Sequence, residues 1–250
     1  MVLPLPNNLQ SIREDVPNLS LKYYKRADVC DNGFNKVSAE KKKTFFNSLI
    51  SLSGIERYKK AYSIRDRLLD GIGITFSLTT ASRLIVGIGY DHPTEVGFMF
   101  DWTSGLPVIP GSSLKGITLD VVKNEPVCCL DKEKDAIFGS KERSGEIIFF
   151  PAYPCLEVKQ QFLELDIMTP HYGPYYRDPN NNPPADWYSP VPIPFLTVPE
   201  GIRFCFRLAN RRDLRDTTSP LLLKARNILI HALKEYGVGA KTAVSYGWFR

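Results

Sequence analysis

Residues 109–116 (IPGSSLKG) constrain the fold more than any other segment, because they mark where a helix begins. Pro110 and Gly111 end the preceding structure, and the two serines that follow can cap a helix by accepting hydrogen bonds from its first free amides. Apolar residues then recur at helical spacing. The sequence therefore predicts a helix over residues 112–123, with its apolar face formed by Leu114, Ile117 and Val121.

The amino end of this helix suits a phosphate group, because unpaired N–H groups and partial positive charge gather there. Ser112, Ser113 and Lys115 add two hydroxyls and a cation. A second glycine-rich segment, residues 237–242 (GVGAKT), places Lys241 and Thr242 between a predicted helix and a predicted last strand. Neither segment matches the nucleotide-binding motif G-x-x-x-x-G-K-[ST]. An ordinary start of a helix after a loop is the alternative interpretation.

Hydrophobic periodicity predicts the order of the main elements. Alternating apolar residues indicate strands at 72–79, 146–150, 163–167, 202–208 and 243–249, with a further partner strand at 84–89. Helical spacing indicates helices at 112–123 and 219–236, the second ended by Gly237. Without insertions this order is βαββαβ. The predicted fold class is therefore α+β, with a ferredoxin-like (RRM-like) core.

Two regions lie outside that core. Residues 1–70 combine a polar arm, a short helix near residues 19–26, and a charged amphipathic segment from Ser38 to Leu69 that Gly54 breaks into two helices. We expect this helical extension to pack on a domain formed by residues 71–250. Within that domain, residues 170–199 hold nine of the nineteen prolines and five tyrosine or tryptophan side chains. Such a loop is usually functional or disordered, and its aromatic content favours contact with a partner.

Composition excludes several classes of site. The net charge is +5, and basic clusters at residues 41–67 and 203–215 suit a polyanion, although each can equally be a solvated face. The five cysteines are odd in number and have no C-x-x-C spacing, so we expect neither a zinc site nor a disulfide framework. No signal peptide and no apolar run of bilayer length are evident. We therefore expect a cytoplasmic protein without metal or cofactor.

RNA binding through phosphate and base-stacking contacts is the chemistry that these features favour. A catalytic alternative uses His171, which lies at the start of the proline-rich loop, with Asp166 as the nearest carboxylate. General acid–base catalysis needs a positioned partner, and the sequence identifies none. A third alternative is a protein whose basic faces serve only assembly.

Several segments resemble the RAMP superfamily of CRISPR-associated proteins. They are residues 110–116 (PGSSLKG), the FG and GEIIFF of residues 138–150, and residues 237–247 (GVGAKTAVSYG). Within that superfamily, residues 166–172 (DIMTPHY), 184–186 (PAD) and 194–198 (PFLTV) are most similar to the family of sixth subunits of the type III-B Cmr effector complex. The resemblance spans residues 72–250. Residues 117–120 lack the arginine that many RAMP proteins carry after this run.

The resemblance implies a non-catalytic structural subunit that caps the backbone filament of a guide-RNA complex near the 3′ part of the guide. Its implied partners are the CRISPR guide RNA, the target RNA and neighbouring backbone subunits. A guide-RNA-processing endoribonuclease that uses His171 is the alternative. Arg203 and Arg207 are predicted to face RNA or the next subunit. The predicted RNA-binding residues are Gly111, Ser112, Ser113, Lys115, Ser82, Arg83, Arg143, His171, Tyr172, Lys241 and Thr242. The predicted thumb or partner-contact residues are Tyr175, Tyr176, Arg177, Trp187 and Tyr188.

Overall fold

The computed structural model describes residues 18–25, 27, 38–53, 58–125, 131–155 and 161–250. The helices of these residues are α1 (Leu19–Lys25), α2 (Ala39–Leu52), α3 (Lys59–Leu68), α4 (Gly111–Asn124), α5 (Asp131–Phe138), α6 (Gly173–Arg177) and α7 (Pro220–Glu235). The strands are β1 (Ile74–Thr79), β2 (Ile147–Phe149), β3 (Tyr153–Pro154), β4 (Glu164–Met168), β5 (Ile193–Thr197) and β6 (Arg203–Asn210). No helix among the described residues has the length and apolarity that crossing a membrane requires.

The larger sheet is built around β6. Strand β1 pairs with one edge of β6, and β2 and β3 pair with the other edge, all antiparallel. The end of the chain lies beside β1, because the backbone N–H groups of Thr79 and Arg250 each donate to the other residue's carbonyl, at 3.0 and 2.8 Å. The resulting order across the sheet is closing segment, β1, β6, β2. The fold is therefore mixed α+β with antiparallel sheets.

Alternation along β6 separates two faces of this sheet. Phe204, Phe206 and Leu208 are buried, whereas Arg203 on the other face of the strand is exposed. Helices α4 and α7 pack against each other and against the buried face. Their apolar stripes supply much of the core, as the helical spacing predicts. The core residues of these two helices include Leu114, Val121, Val122, Leu222, Leu229 and Leu233.

Among the described residues, a second sheet consists of β4 and β5, paired antiparallel from Glu164 opposite Thr197 to Met168 opposite Ile193. Helix α2 packs on this hairpin. The sequence placed residues 193–197 in the proline-rich loop, and that assignment is wrong. Pro194 is tolerated because β5 has a strand on only one side, so its missing N–H breaks no continuous ladder.

Two predictions of strands, at residues 84–89 and 243–249, are wrong. Within the part of the chain that the structure describes, residues 84–89 form one bridge, from Leu84 to Val198. The segment 243–249 is not extended, because Lys241 and Ser245 have left-handed backbones with φ of 60° and 68° around a 3₁₀ turn. The end of this segment pairs with the sheet edge through one bridge, Phe249 opposite Thr80, next to the hydrogen bonds between Thr79 and Arg250.

Cys155 and Cys205 form a disulfide, which the cysteine count did not predict. Strand pairing explains it, since Tyr153 lies opposite Cys205 and the Cys155 amide donates to the Arg203 carbonyl at 2.7 Å. An odd number of cysteines argues against a complete framework but not against one bridge. Among the helical predictions, α1, α4 and α7 are confirmed. Residues 1–17, 26 and 28–37 of the predicted arm, together with the predicted break at Gly54, lie outside the described residues.

Candidate nucleic-acid interface

Helix α4 begins one residue earlier than expected, at Gly111, with Pro110 as its N-cap. No side chain caps this helix, so the prediction that a serine does so is wrong. Ser112 and Ser113 lie in the first turn instead, with Ser112 exposed. Gly111 has a packing reason, because a Cβ at this position would lie 2.0 Å from the Phe149 carbonyl oxygen. Glycine thus allows the start of α4 to contact the end of β2.

The closing loop after α7 is fixed against residues 82–85. Gly239 has φ of 95°, and a Cβ there would lie 2.2 Å from the Ile85 carbonyl oxygen. The Ala240 amide donates to that oxygen at 2.9 Å. Lys241 follows in a left-handed conformation with its side chain exposed. The glycine therefore determines where the Lys241 ammonium group reaches solvent.

Ser82, Arg83, Lys241 and Thr242 lie in one neighbourhood, although the sequence separates them into two segments. The Gly247 amide donates to the Arg83 carbonyl at 2.7 Å, and the Trp248 amide donates to Ser82 Oγ at 3.2 Å. Trp248 also donates from its indole Nε1 to the Thr242 carbonyl at 3.1 Å. The structure thus joins two of the predicted phosphate-binding segments.

The guanidinium group of Arg83 is paired with carboxylates. It forms ion pairs with Glu164 and with Asp166, whose Oδ2 lies 3.4 Å from Arg83 Nη1. The hydrogen bond with Glu164 raises the pKa of Arg83. Burial, followed by the hydrogen bond that Tyr246 donates to Asp166 at 2.7 Å, raises the pKa of Tyr246 to about 12. Arg83 therefore presents less uncompensated charge to a phosphate than Lys241 does.

The other predicted RNA-binding residues lie apart from the closing loop. The start of α4 lines a cleft of about 640 Å³, whereas Ser82 and Arg83 line a cavity of about 600 Å³. Arg143 is exposed in the turn that the bridge from Gly139 to Ser144 closes. The predicted set thus divides into several surface regions.

His171, Tyr172 and the predicted thumb residues lie between β4 and β5, beyond the last pair of that hairpin. His171, Tyr176 and Arg177 are exposed, and Trp187 is 78% exposed. Neighbouring rings pack in pairs, Tyr175 with Tyr176 at 5.6 Å and Trp187 with Tyr188 at 5.9 Å between centroids. The segment therefore presents aromatic and cationic side chains to solvent.

Arg207 has a structural role that the sequence did not reveal. Its Nη1 donates to the Leu69 carbonyl at 2.6 Å and to that of Ile72, which holds the connection between α3 and β1. Burial, more than the nearby Arg65, lowers the pKa of Arg207.

Within the described ranges, no group of three or more histidine, cysteine or acidic side chains is arranged to hold a metal ion.

The cleft at the start of α4 contains aromatic residues that sequence reasoning missed. Tyr24, Tyr90 and Trp102 line it together with Pro110 and Gly111. In the sequence, the signal for this site was a pair of aromatic residues, Tyr90 and Trp102, in a polar, glycine- and proline-rich loop. Only the fold shows that Tyr24 of α1 lies beside them.

Comparison with known proteins places these features in a family context. The model of the RAMP superfamily matches residues 77–250. The CRISPR system Cmr subunit Cmr6 of Pyrococcus furiosus is 32% identical over 77% of this chain and 72% of its own length. The CRISPR system CMR subunit Cmr6 of Saccharolobus solfataricus is 26% identical over 78% of this chain and 64% of its own length.

The fold also resembles a chain in the cryo-EM structure of the type III-B Cmr-beta bound to cognate target RNA. The TM-score is 0.62 and the identity is 25%, over 98% of this chain and 83% of that chain. The similarity therefore extends beyond residues 77–250 to the amino-terminal helices.

Proposed function

Because this chain belongs to the RAMP superfamily and, within it, to the family of Cmr6 subunits, we propose that it is a non-catalytic RNA-binding subunit of a type III-B CRISPR (Cmr) effector complex. In this role it caps the backbone filament near the 3′ part of the guide RNA and helps to hold the duplex of guide and target. Its partners are those two RNAs and the neighbouring backbone subunits, and it acts in the cytoplasm.

The exposed Lys241 in the closing loop is the observation that carries the proposed RNA contact. Backbone contacts with Ile85 and Arg83 fix this loop at both ends, so Lys241 and Thr242 stand on a rigid support beside Ser82. A cation held in this way suits a backbone phosphate, which needs charge and position rather than sequence readout. Lys115, the fifth residue of α4, supplies the second proposed phosphate contact together with Gly111, Ser112 and Ser113.

We also propose that residues 71–250 form a ferredoxin-like RAMP domain on which residues 1–70 pack. The order closing segment, β1, β6, β2 supports this core, because α4 connects β1 to β2 and α7 connects β6 to the closing segment. The buried Tyr23 of α1 supports the packing of the extension, since its hydroxyl donates to the Val96 carbonyl at 3.0 Å. The insertion between β4 and β5 serves as the thumb or as a subunit contact.

A non-catalytic role fits the surroundings of His171. Its side chain is exposed, and Asp166, its nearest carboxylate in sequence, already accepts from Tyr246 and pairs with Arg83. A general acid or base needs a partner that orients it. This arrangement supports a subunit that leaves cleavage of the target to another member of the complex.

The proposal is tested by binding of labelled guide RNA to the purified chain across a salt series. Replacing both Lys115 and Lys241 with alanine removes two phosphate contacts, so the slope of log K against log salt should become shallower by about 1.4. The matched control is the double variant Lys132→Ala/Lys234→Ala, which removes the same charge from exposed positions on α5 and α7, outside both basic clusters. Equal affinity and slope for both double variants and the unchanged chain would refute these phosphate contacts.

A further inference from the structure

Two exposed aromatic rings flank the cleft at the start of α4. Trp102 is 60% exposed and Tyr90 is 53% exposed, and both line this cleft of about 640 Å³. Its volume is within the range of sites for small organic ligands. The phosphate contacts proposed above use neither ring, so the cleft has no role in that proposal beyond its border with Gly111.

The Trp102 ring is held in place rather than free to rotate. It stacks on the Tyr24 ring with a centroid distance of 4.7 Å and an interplanar angle of 21°. Tyr24 is fixed in turn, because its hydroxyl donates to the Phe98 carbonyl at 2.7 Å. Asn18 donates from its side-chain amide to the carbonyls of Trp102 and Thr103, at 3.2 and 3.0 Å. An indole fixed before binding loses little conformational entropy when a flat ligand stacks on it.

Charges near the cleft suit the two parts of a nucleotide. Lys25 Nζ lies over the Trp102 ring in a cation–π contact, 5.9 Å from its centroid, and this flexible side chain supplies a cation for a phosphate when a base stacks on the ring. Two carboxylates, Asp91 and Asp101, also line the cleft. Asp101 accepts from the amide of Ser104 at 2.7 Å, whereas Asp91 is exposed and can accept from the N–H groups at the edge of a base.

We propose that this cleft binds one unpaired base of the RNA, stacked on Trp102, with Tyr90 at its rim and Lys25 near its phosphate. This inference rests on the proposed RNA-binding function and adds a contact to the base that the phosphate sites do not provide. Stacking on an aromatic side chain tolerates every base, because every base has a π-face. The contact therefore holds single-stranded RNA without reading its sequence.

Two RNA-like probes separate base stacking from phosphate binding. The first is a short oligouridylate, and the second is an abasic ribose-phosphate oligomer of the same length. Trp102→Ala in the full chain should lower affinity for oligouridylate roughly 5- to 140-fold, which corresponds to the loss of one stacked base. Its affinity for the abasic oligomer should stay unchanged. Trp102→Phe, which keeps an aromatic face, should restore most of the loss.

The outcomes distinguish this inference from the function on which it rests. If Trp102→Ala binds both probes as the unchanged chain does, the stacking site is refuted while phosphate binding stands. An equal loss of affinity for both probes also refutes stacking, because it indicates a general disturbance of the surface. If the unchanged chain binds neither probe at low salt, direct RNA binding and the stacking site both fail.

Discussion

His92 is half-buried and lies flat on the ring of Tyr23, with 3.8 Å between centroids and 4° between planes. Its Nε2 is 2.9 Å from the Tyr23 carbonyl, to which it donates, and its Nδ1 accepts from the Thr94 amide at 3.2 Å. A proton on Nδ1 would remove that acceptor. Burial, which outweighs the hydrogen bond to the Tyr23 carbonyl, lowers the pKa of His92.

The lowered pKa predicts how stability depends on pH. Below about pH 6.5, the ordinary pKa of histidine, the unfolded chain binds a proton at this position that the folded chain does not. The free energy of unfolding should therefore fall as the pH falls from about 6.5 toward the folded-state pKa of His92. Urea unfolding measured at several pH values checks this. His92→Gln should reduce the dependence and the exposed His171→Gln should retain it; an identical dependence in both variants would contradict the assignment.

At the scale of elements, the disulfide joins β6 to the chain just after β3 and closes a loop with a sequence separation of 50 residues. A bridge over such a loop restricts the unfolded chain and typically stabilises a fold by about 2–4 kcal/mol. Reductant should therefore lower the urea midpoint of the unchanged chain. Cys155→Ser should unfold at that lower midpoint with or without reductant. A midpoint in the unchanged chain that does not respond to reductant would show that the bridge adds no stability.

Elements whose apolar residues repeat at the helical or the strand period were predictable from the sequence. Helices α4 and α7 and strands β1 and β6 each carry an apolar stripe or alternation that specifies the buried face without reference to neighbours. Strand β5 was missed because Pro194 indicates a loop unless the strand is known to have only one neighbour. The disulfide was missed because it depends on the register between β3 and β6, which no local pattern contains.

At the scale of the whole molecule, the candidate interface was predictable only in pieces. The glycine-rich segments identified Lys115 and Lys241, and the fold then separated the start of α4 from the closing loop and joined that loop to Ser82 and Arg83. The ion pairs of Arg83 and the cleft of Trp102 each require side chains from distant segments. The local sequence gives the residue types of such a site, but the fold determines which of these residues lie together.

The arrangement of the whole molecule also predicts the absence of cleavage. Purified chain incubated with repeat RNA should leave it intact, because Asp166 is held by Tyr246 and Arg83 on one side of the hairpin and His171 is exposed at its end. Gel analysis of labelled RNA measures this directly. Discrete metal-independent products that disappear in His171→Ala would contradict the non-catalytic assignment and favour the endoribonuclease alternative.

Strand β6 has a consequence for synthesis on the ribosome. It pairs with β1, β2 and β3, yet it follows all three in the chain, with Leu208 opposite both Ile74 and Phe149. During translation these three strands emerge with open edges and no central partner, and contacts between distant segments form slowly. The nascent chain thus passes through an interval in which unpaired edges are exposed to aggregation or to chaperones, and this interval ends only when β6 leaves the exit tunnel.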